Sequence, residues 1–63
     1  MTQDQLERIV REVVDAHPGI VEMHRMGKTL TVAPVVGLVM RKLQGHADPR
    51  VVYTAAKAEL DRR

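Results

Sequence analysis

Glycine and proline divide this chain into short pieces, and that punctuation sets most of what it can fold into. Pro18-Gly19, Gly27, Pro34, Gly45 and Pro49 fall at intervals along only 63 residues. Each marks a stop or a start: glycine admits left-handed backbone, and proline lacks a donor. Between the breaks, apolar residues recur with helical spacing. Leu6, Ile9, Val10, Val13 and Val14 form one stripe and predict a helix from about Gln3 to Ala16. Thr2 and Gln5 read as its capping box, and Asp4 and Glu7 suit the positive end of its dipole. A short helix is expected from Pro18, acceptable at a first helical position, to Met26. Ile20, Val21 and His24 would face inward, and Gly27 would close the helix in a left-handed turn.

A third helix is predicted over Val32 to Gln44, with Val32, Val35, Val36, Val39, Met40 and Leu43 on its buried stripe. Its valines raise a strand alternative for Val32–Met40. The sustained helical period and the charged Arg41-Lys42 end favour helix. Pro34 must sit in the first turn, so the helix cannot begin much before Thr31, and Gly45 stops it. Asp48-Pro49 is a cap followed by a first-turn proline, and opens a fourth helix burying Val52, Ala55, Ala56 and Leu60. The expected fold is all-α: residues 1–63 as one compact bundle of three longer helices and one short one.

Composition narrows the function. A chain this short buries about 60% of the surface its unfolded form exposes, which leaves no room for a deep cleft beside a core. There is no Cys, Ser, Asn, Phe or Trp. Disulfides, thiolate zinc sites and serine or cysteine nucleophiles are excluded. One aromatic residue, Tyr53, cannot build a platform for a run of single-stranded bases. The core must come from ten valines with some Leu, Ile, Met and Ala, and a domain of this size draws only about 3–5 kcal/mol from it. No apolar run approaches the ~20 residues of a membrane span, and the polar N-terminus is not a secretory signal. A cytoplasmic location fits best.

Charge is uneven. Residues 1–17 carry four acids and two bases, whereas residues 23–47 carry Arg25, Lys28, Arg41 and Lys42 and no acid. That is a modest footprint for phosphate contact, or else a solvated face. Gly27-Lys28-Thr29 looks like the tail of a P-loop, but Glu22 stands where the leading glycine is needed. His17, His24 and His46 lack metal-ligand spacing and read as surface or boundary imidazoles, so neither a metal nor a cofactor is expected. Glu7–Arg11 and Arg8–Glu12 read as i, i+4 pairs supporting helix one. No catalytic constellation emerges. Gly37, inside the third helix with Ala33 one turn earlier, costs about 1 kcal/mol against alanine. It reads first as a place where another helix approaches, and second as a place where a ligand does. Gln44 to Ala47 has the length of a helix-turn-helix corner, but the fourth helix offers only Arg50 for reading base edges.

Pro18, Val21, Gly27-Lys28, Val36-Gly37, Val39-Met40-Arg41, Gly45, Ala47-Asp48-Pro49, Val52 and Leu60 stand in a register that resembles the C-terminal tail of the GatB/YqeY family. The resemblance runs from Pro18 to Leu60 and is ungapped from Gly27 to Pro49; helix one matches by type only. GatB is the B subunit of the glutamyl/aspartyl-tRNA amidotransferase. The resemblance implies an all-helical tail that meets the tRNA elbow near the D-loop and helps select misacylated tRNA. Other parts of that enzyme hold its active sites. On this reading Lys28, Arg41 and Lys42 would meet tRNA phosphates, Gly37 would let backbones come close, and Arg25, His46 and Arg50 would complete the contact. Such recognition uses shape and phosphates and needs few aromatics. Partners would be tRNA and the rest of an amidotransferase complex, with no membrane and no sequence-specific DNA. Two alternatives are a protein-interaction or dimerisation module and a helix-turn-helix DNA-binding domain. Four departures stand out: His17 for the usual Asn, Leu30 for a position often basic, Pro34 for a bulky residue that would shorten the first turn, and Leu38 for a commonly polar one. Leu38 is expected to be exposed and to mark a protein contact. In the family this tail normally follows further domains, whereas Met1 here stands at its start.

Overall fold

The computed structural model describes residues 2–28 and 30–63. Helices α1 (Gln3–Asp15), α2 (Pro18–Arg25), α3 (Val32–Lys42) and α4 (Pro49–Arg62) account for its regular structure, and the described residues contain no strand. The strand alternative for Val32–Met40 is thereby excluded. The Cα radius of gyration is 10.6 Å, about what a folded chain of this length should have.

Each helix begins and ends for a local reason. Thr2 and Gln5 form the expected capping box: Gln5 N–H donates to Thr2 Oγ1, and Thr2 N–H donates to Gln5 Oε1. His17 Nδ1–H donates to Val13 O at 2.8 Å and so serves a free carbonyl at the end of α1. Helix α2 opens on Pro18 and closes in a Schellman turn, where Lys28 N–H reaches Met23 O and Gly27 N–H reaches His24 O. Gly27 takes the left-handed conformation this turn needs, at φ +88°.

Helix α3 closes the same way but earlier than its sequence suggests. It stops at Lys42, and Gly45 N–H reaches Met40 O while Gln44 N–H reaches Arg41 O. The left-handed position here is held by Gln44, at φ 54°, with Gly45 following at φ 78°. The glycine that signals the stop is thus one residue beyond the turn it serves. Pro34 lies in the first turn of an 11-residue helix that follows Thr31, whose hydroxyl makes no cap bond, so the helix starts where the proline allows. Asp48 caps α4 by accepting from Arg50 N–H at 2.9 Å, and Pro49 occupies the first turn.

Helices α1, α3 and α4 surround one core. It contains Leu6, Val10, Val13 and Val14 of α1, Val32, Val35 and Val39 of α3 with the following Leu43, and Val52, Ala55, Ala56 and Leu60 of α4. Val36 and Met40, expected on the buried stripe of α3, are half-buried at its edge. Leu38, expected to be exposed, packs against the core. Helix α2 buries no residue completely; Ile20 and Val21 pack half-exposed against the other helices. Three long exposed apolar side chains lie around its C-terminal end: Met23, Met26 and Leu30, the last 84% exposed.

Two polar groups inside the fold give no sequence signal. Thr31 and Glu59 are both buried. Glu59 receives Arg62 Nη2 and Arg63 Nε, each at 2.8 Å, and Arg63 also pairs with Asp15 of α1. A buried carboxylate is tolerated when its oxygens are satisfied in this way. The pairing fastens the last turn of α4 to the end of α1. The Glu7–Arg11 and Arg8–Glu12 pairs expected on α1 do not form; Glu7 instead accepts from Gln3 Nε2 at 3.3 Å. Exposed ion pairs gain little in water, so α1 can hold these side chains apart.

Candidate nucleic-acid interface

All seven residues singled out for nucleic-acid contact are exposed, but the fold does not gather them into one patch. Arg25 sits in the last turn of α2 and Lys28 in the turn that follows. That end of α2 lies against the far end of α4, because His24 bridges to Asp61. Arg41 and Lys42 occupy the last turn of α3. From Thr31 to Lys42 the helix rises about 16 Å at 1.5 Å per residue. Arg41, Lys42, His46 and Arg50 therefore gather at the α3–α4 corner, with Arg25 and Lys28 at the opposite end of α3.

Pairing separates these cations further. Arg50 is held by its own cap residue, with Nη2 at 3.3 Å and Nε at 3.4 Å from the Asp48 carboxylate. Hydrogen bonding from the Arg50 backbone, then from its side chain, holds the Asp48 carboxyl below the usual carboxylate range. Among the described residues, Arg25, Lys28, Arg41 and Lys42 have no carboxylate within ion-pair distance; nor do Arg8 and Arg11 in the acidic first segment. The acids that form pairs are Asp15, Asp48, Glu59 and Asp61. The α3 corner thus carries free positive charge that the fold does not use. Arg41 and Lys42 also suit the negative end of the α3 dipole.

Gly37 lies in the middle of α3, exposed, and a methyl group built on it meets no atom within 4 Å. No helix among the described residues comes close there, so the approach of another helix finds no partner within this chain. With Ala33 one turn before and Arg41 one turn after, Gly37 leaves a bare strip of backbone on the outer side of α3.

Beside this strip runs a groove of about 480 Å³ between α3 and α4, lined by Ala33, Val36, Pro49, Arg50, Tyr53 and Thr54. Tyr53, set aside in the sequence because it is alone, is 46% exposed in that groove. The α3–α4 connection runs from Leu43 to Asp48. Between its two cap residues stand Gln44 to Ala47, the four residues read from the sequence as a corner.

His24 is an internal tie. Its Nδ1 lies 2.7 Å from Thr31 Oγ1 and its Nε2 lies 2.7 Å from Asp61 Oδ1, while Asp61 also accepts from Lys57 Nζ at 2.8 Å. The Lys57 hydrogen bond, then that from His24, holds the Asp61 carboxyl below its ordinary value. A carboxylate depressed in the folded state contributes stability that is present above its unfolded pKa, near ~3.9. That stability is lost as pH falls through the lower folded value. Asp61→Asn is expected to destabilise the protein at neutral pH and to flatten the acid limb of its stability below about pH 4. Urea melts across pH 2–7 measure both effects, and an unchanged acid limb would contradict the tie.

No group of three or more His, Cys, Asp or Glu among the described residues could hold a metal ion. No helix among them is long and apolar enough to cross a membrane.

Comparison with known proteins gives a consistent result. The profile of a family described as the GatB domain matches residues 1–60. Three relatives are aspartyl/glutamyl-tRNA(Asn/Gln) amidotransferase subunits B. That of Methanopyrus kandleri is 39% identical over 59 residues, covering 94% of this chain and 13% of the relative. That of Prosthecochloris aestuarii is 41% identical over 56 residues, covering 89% and 12%. That of Clostridium botulinum is 30% identical over 61 residues, covering 97% and 13%. The chain therefore spans about an eighth of the length of the curated relatives it matches. No solved structure matches it.

Proposed function

The chain belongs to the GatB/YqeY family, and on that premise we propose that it is a non-catalytic tRNA-contacting module of a tRNA-dependent amidotransferase. Residues 1–63 act as one helical unit that meets the tRNA elbow, while the chemistry of transamidation lies elsewhere in the enzyme. The observation that carries this reading is the outer face of α3. There Arg41, free of carboxylate partners among the described residues, stands one turn from a glycine whose backbone is open to an incoming molecule, and Lys42, likewise unpaired, follows at the same end of the helix. Lysine and arginine at such a corner neutralise phosphates, and an absent side chain lets a sugar-phosphate backbone approach. His46 adds a neutral or cationic donor at the same corner. Lys28 and Arg25 extend the contact toward the other end of α3, and Arg50 contributes once its bond to Asp48 is shared with phosphate.

Gly37 separates this reading from a purely structural one. Gly37→Ala places a methyl group in open space on a helix, so it is expected to stabilise the fold by about 0.5–1 kcal/mol. On the RNA reading the same change weakens tRNA binding, because the methyl group occupies the line of approach. Stabilisation with unchanged affinity would remove Gly37 from the interface.

The function itself is tested by comparing affinity for tRNA with that for a DNA duplex of equal phosphate count, at two salt concentrations. The expected result is tighter binding of tRNA, weakening with salt. Equal affinity for both would mean only a generic basic patch, and no affinity for either would overturn the proposal.

A further inference from the structure

We propose that the groove between α3 and α4 seats one unstacked nucleobase of the bound RNA against the ring of Tyr53. This inference rests on the RNA-contact reading and adds to it a site that phosphate contact does not require. Tyr53 is the only aromatic residue in the chain and is 46% exposed, so the core does not use its ring. Among the described residues its hydroxyl has no hydrogen-bond partner, although Thr54 beside it donates to Arg50 O at 3.1 Å. The ring lines a groove of about 480 Å³ whose other apolar walls are Ala33, Val36 and Pro49. That size lies within the range of small-ligand sites, about 300–1,000 Å³.

The charge around the groove selects the occupant. Arg50 lines it, and Arg41 stands one turn beyond Gly37 on the outer side of α3 next to the groove. The acid beside them, Asp48, is already held by Arg50. A polyanion that presents a flat apolar group meets these conditions: its phosphates face Arg41 and share Arg50 with Asp48, and its base face lies on the ring. The open backbone at Gly37, one turn beyond Ala33, leaves space for the sugar that links the two. One ring cannot hold a run of stacked bases, but it can hold a single base that a folded RNA leaves unpaired. The free phenol can then hydrogen-bond an edge of that base.

The full chain, labelled with carbon-13 in tyrosine, gives signals from one ring only. It would be titrated with tRNA and with a fully paired RNA duplex of equal phosphate count. Affinity would be read separately from the anisotropy of the labelled RNA. The expected result is an upfield shift of the Tyr53 ring signals with tRNA and not with the duplex. Tyr53→Ala should weaken tRNA binding about five- to a hundredfold, and Tyr53→Phe should keep affinity within about twofold. Both variants should keep the salt dependence and the helical circular dichroism of the parent. If tRNA binds while the ring signals and the Tyr53→Ala affinity stay unchanged, the groove proposal falls and the phosphate contact stands. An equal ring shift with the duplex overturns the unpaired base. Absence of tRNA binding by the parent chain overturns both readings.

Discussion

Leu60→Ala is expected to unfold this protein at 25 °C. Leu60 is 1% exposed and ranks among the largest fully buried side chains, in a core otherwise built mostly from valine and alanine. Replacing a buried leucine by alanine costs about 2–5 kcal/mol, the upper end where the cavity cannot collapse. A core of this size supplies about 3–5 kcal/mol in total, so the loss is comparable to the whole margin. Its position worsens the effect. Leu60 adjoins Glu59, whose ion pairs with Arg62 and Arg63 fasten α4 to the end of α1, and Asp61, which His24 ties to the α2–α3 turn. Far-ultraviolet circular dichroism would show a largely unfolded chain before heating begins. Leu60→Met, close in volume, should still melt cooperatively, at a cost below about 1.5 kcal/mol. Leu30→Ala, at an 84% exposed position, should leave the midpoint within about 0.5 kcal/mol of the parent. A Leu60→Ala protein that stays folded, its midpoint lowered by only a few degrees, would show that the core holds more stability than its size implies.

Charge reversal at the α3 corner has the second large effect, on binding rather than on stability. Arg41 and Lys42 are exposed and have no ion-pair partner among the described residues, so Arg41→Glu with Lys42→Glu removes no internal bond. The two glutamates oppose the α3 dipole, which costs about 0.3–1 kcal/mol each. The fold should survive that loss, and the more conservative Arg41→Gln with Lys42→Gln should melt close to the parent. Each phosphate contact contributes about 0.9 to the slope of log affinity against log salt. Removing two should make that slope shallower by about two and weaken tRNA binding more than about tenfold at low salt. Arg8→Glu with Arg11→Glu reverses two cations on α1 rather than on α3, and should change binding far less. Equal losses from both pairs would mean that tRNA responds to net charge alone.

The local signals in this sequence were legible because their physics is local. Thr2 with Gln5, Gly27, and Asp48 with Pro49 each act within one helical turn, and each places a helix boundary where the structure has it. The core stripes of α1 and α4 follow from spacing alone, except that Ile9 is only half-buried at the edge. The end of α3 was misplaced because Gln44, not a glycine, takes the left-handed position, and side chains other than glycine give no warning of that. The half-buried state of Leu38 escapes the sequence for the opposite reason. Whether a residue beyond the main stripe meets a neighbour depends on how α3 rolls against α1 and α4, which no single helix encodes. The His24–Asp61 tie spans 37 residues and the Arg63–Asp15 pair 48, so nothing short-range announces them. The burial of Glu59 became intelligible only with its two arginines in place. Of the site, the cations and Gly37 were visible as types. Their division between the two ends of α3, and the groove that exposes Tyr53, needed the packed helices.

The measurement that bears most directly on the central claim is an amide NMR titration of the chain with tRNA, and with a DNA duplex of equal phosphate count, at two salt concentrations. Contact by the outer face of α3 predicts shifts centred on Lys28 and on Gly37 to His46, larger for tRNA and reduced by salt. Shifts of equal size with both ligands, or shifts centred on α1 and the opposite side of α4, would contradict it.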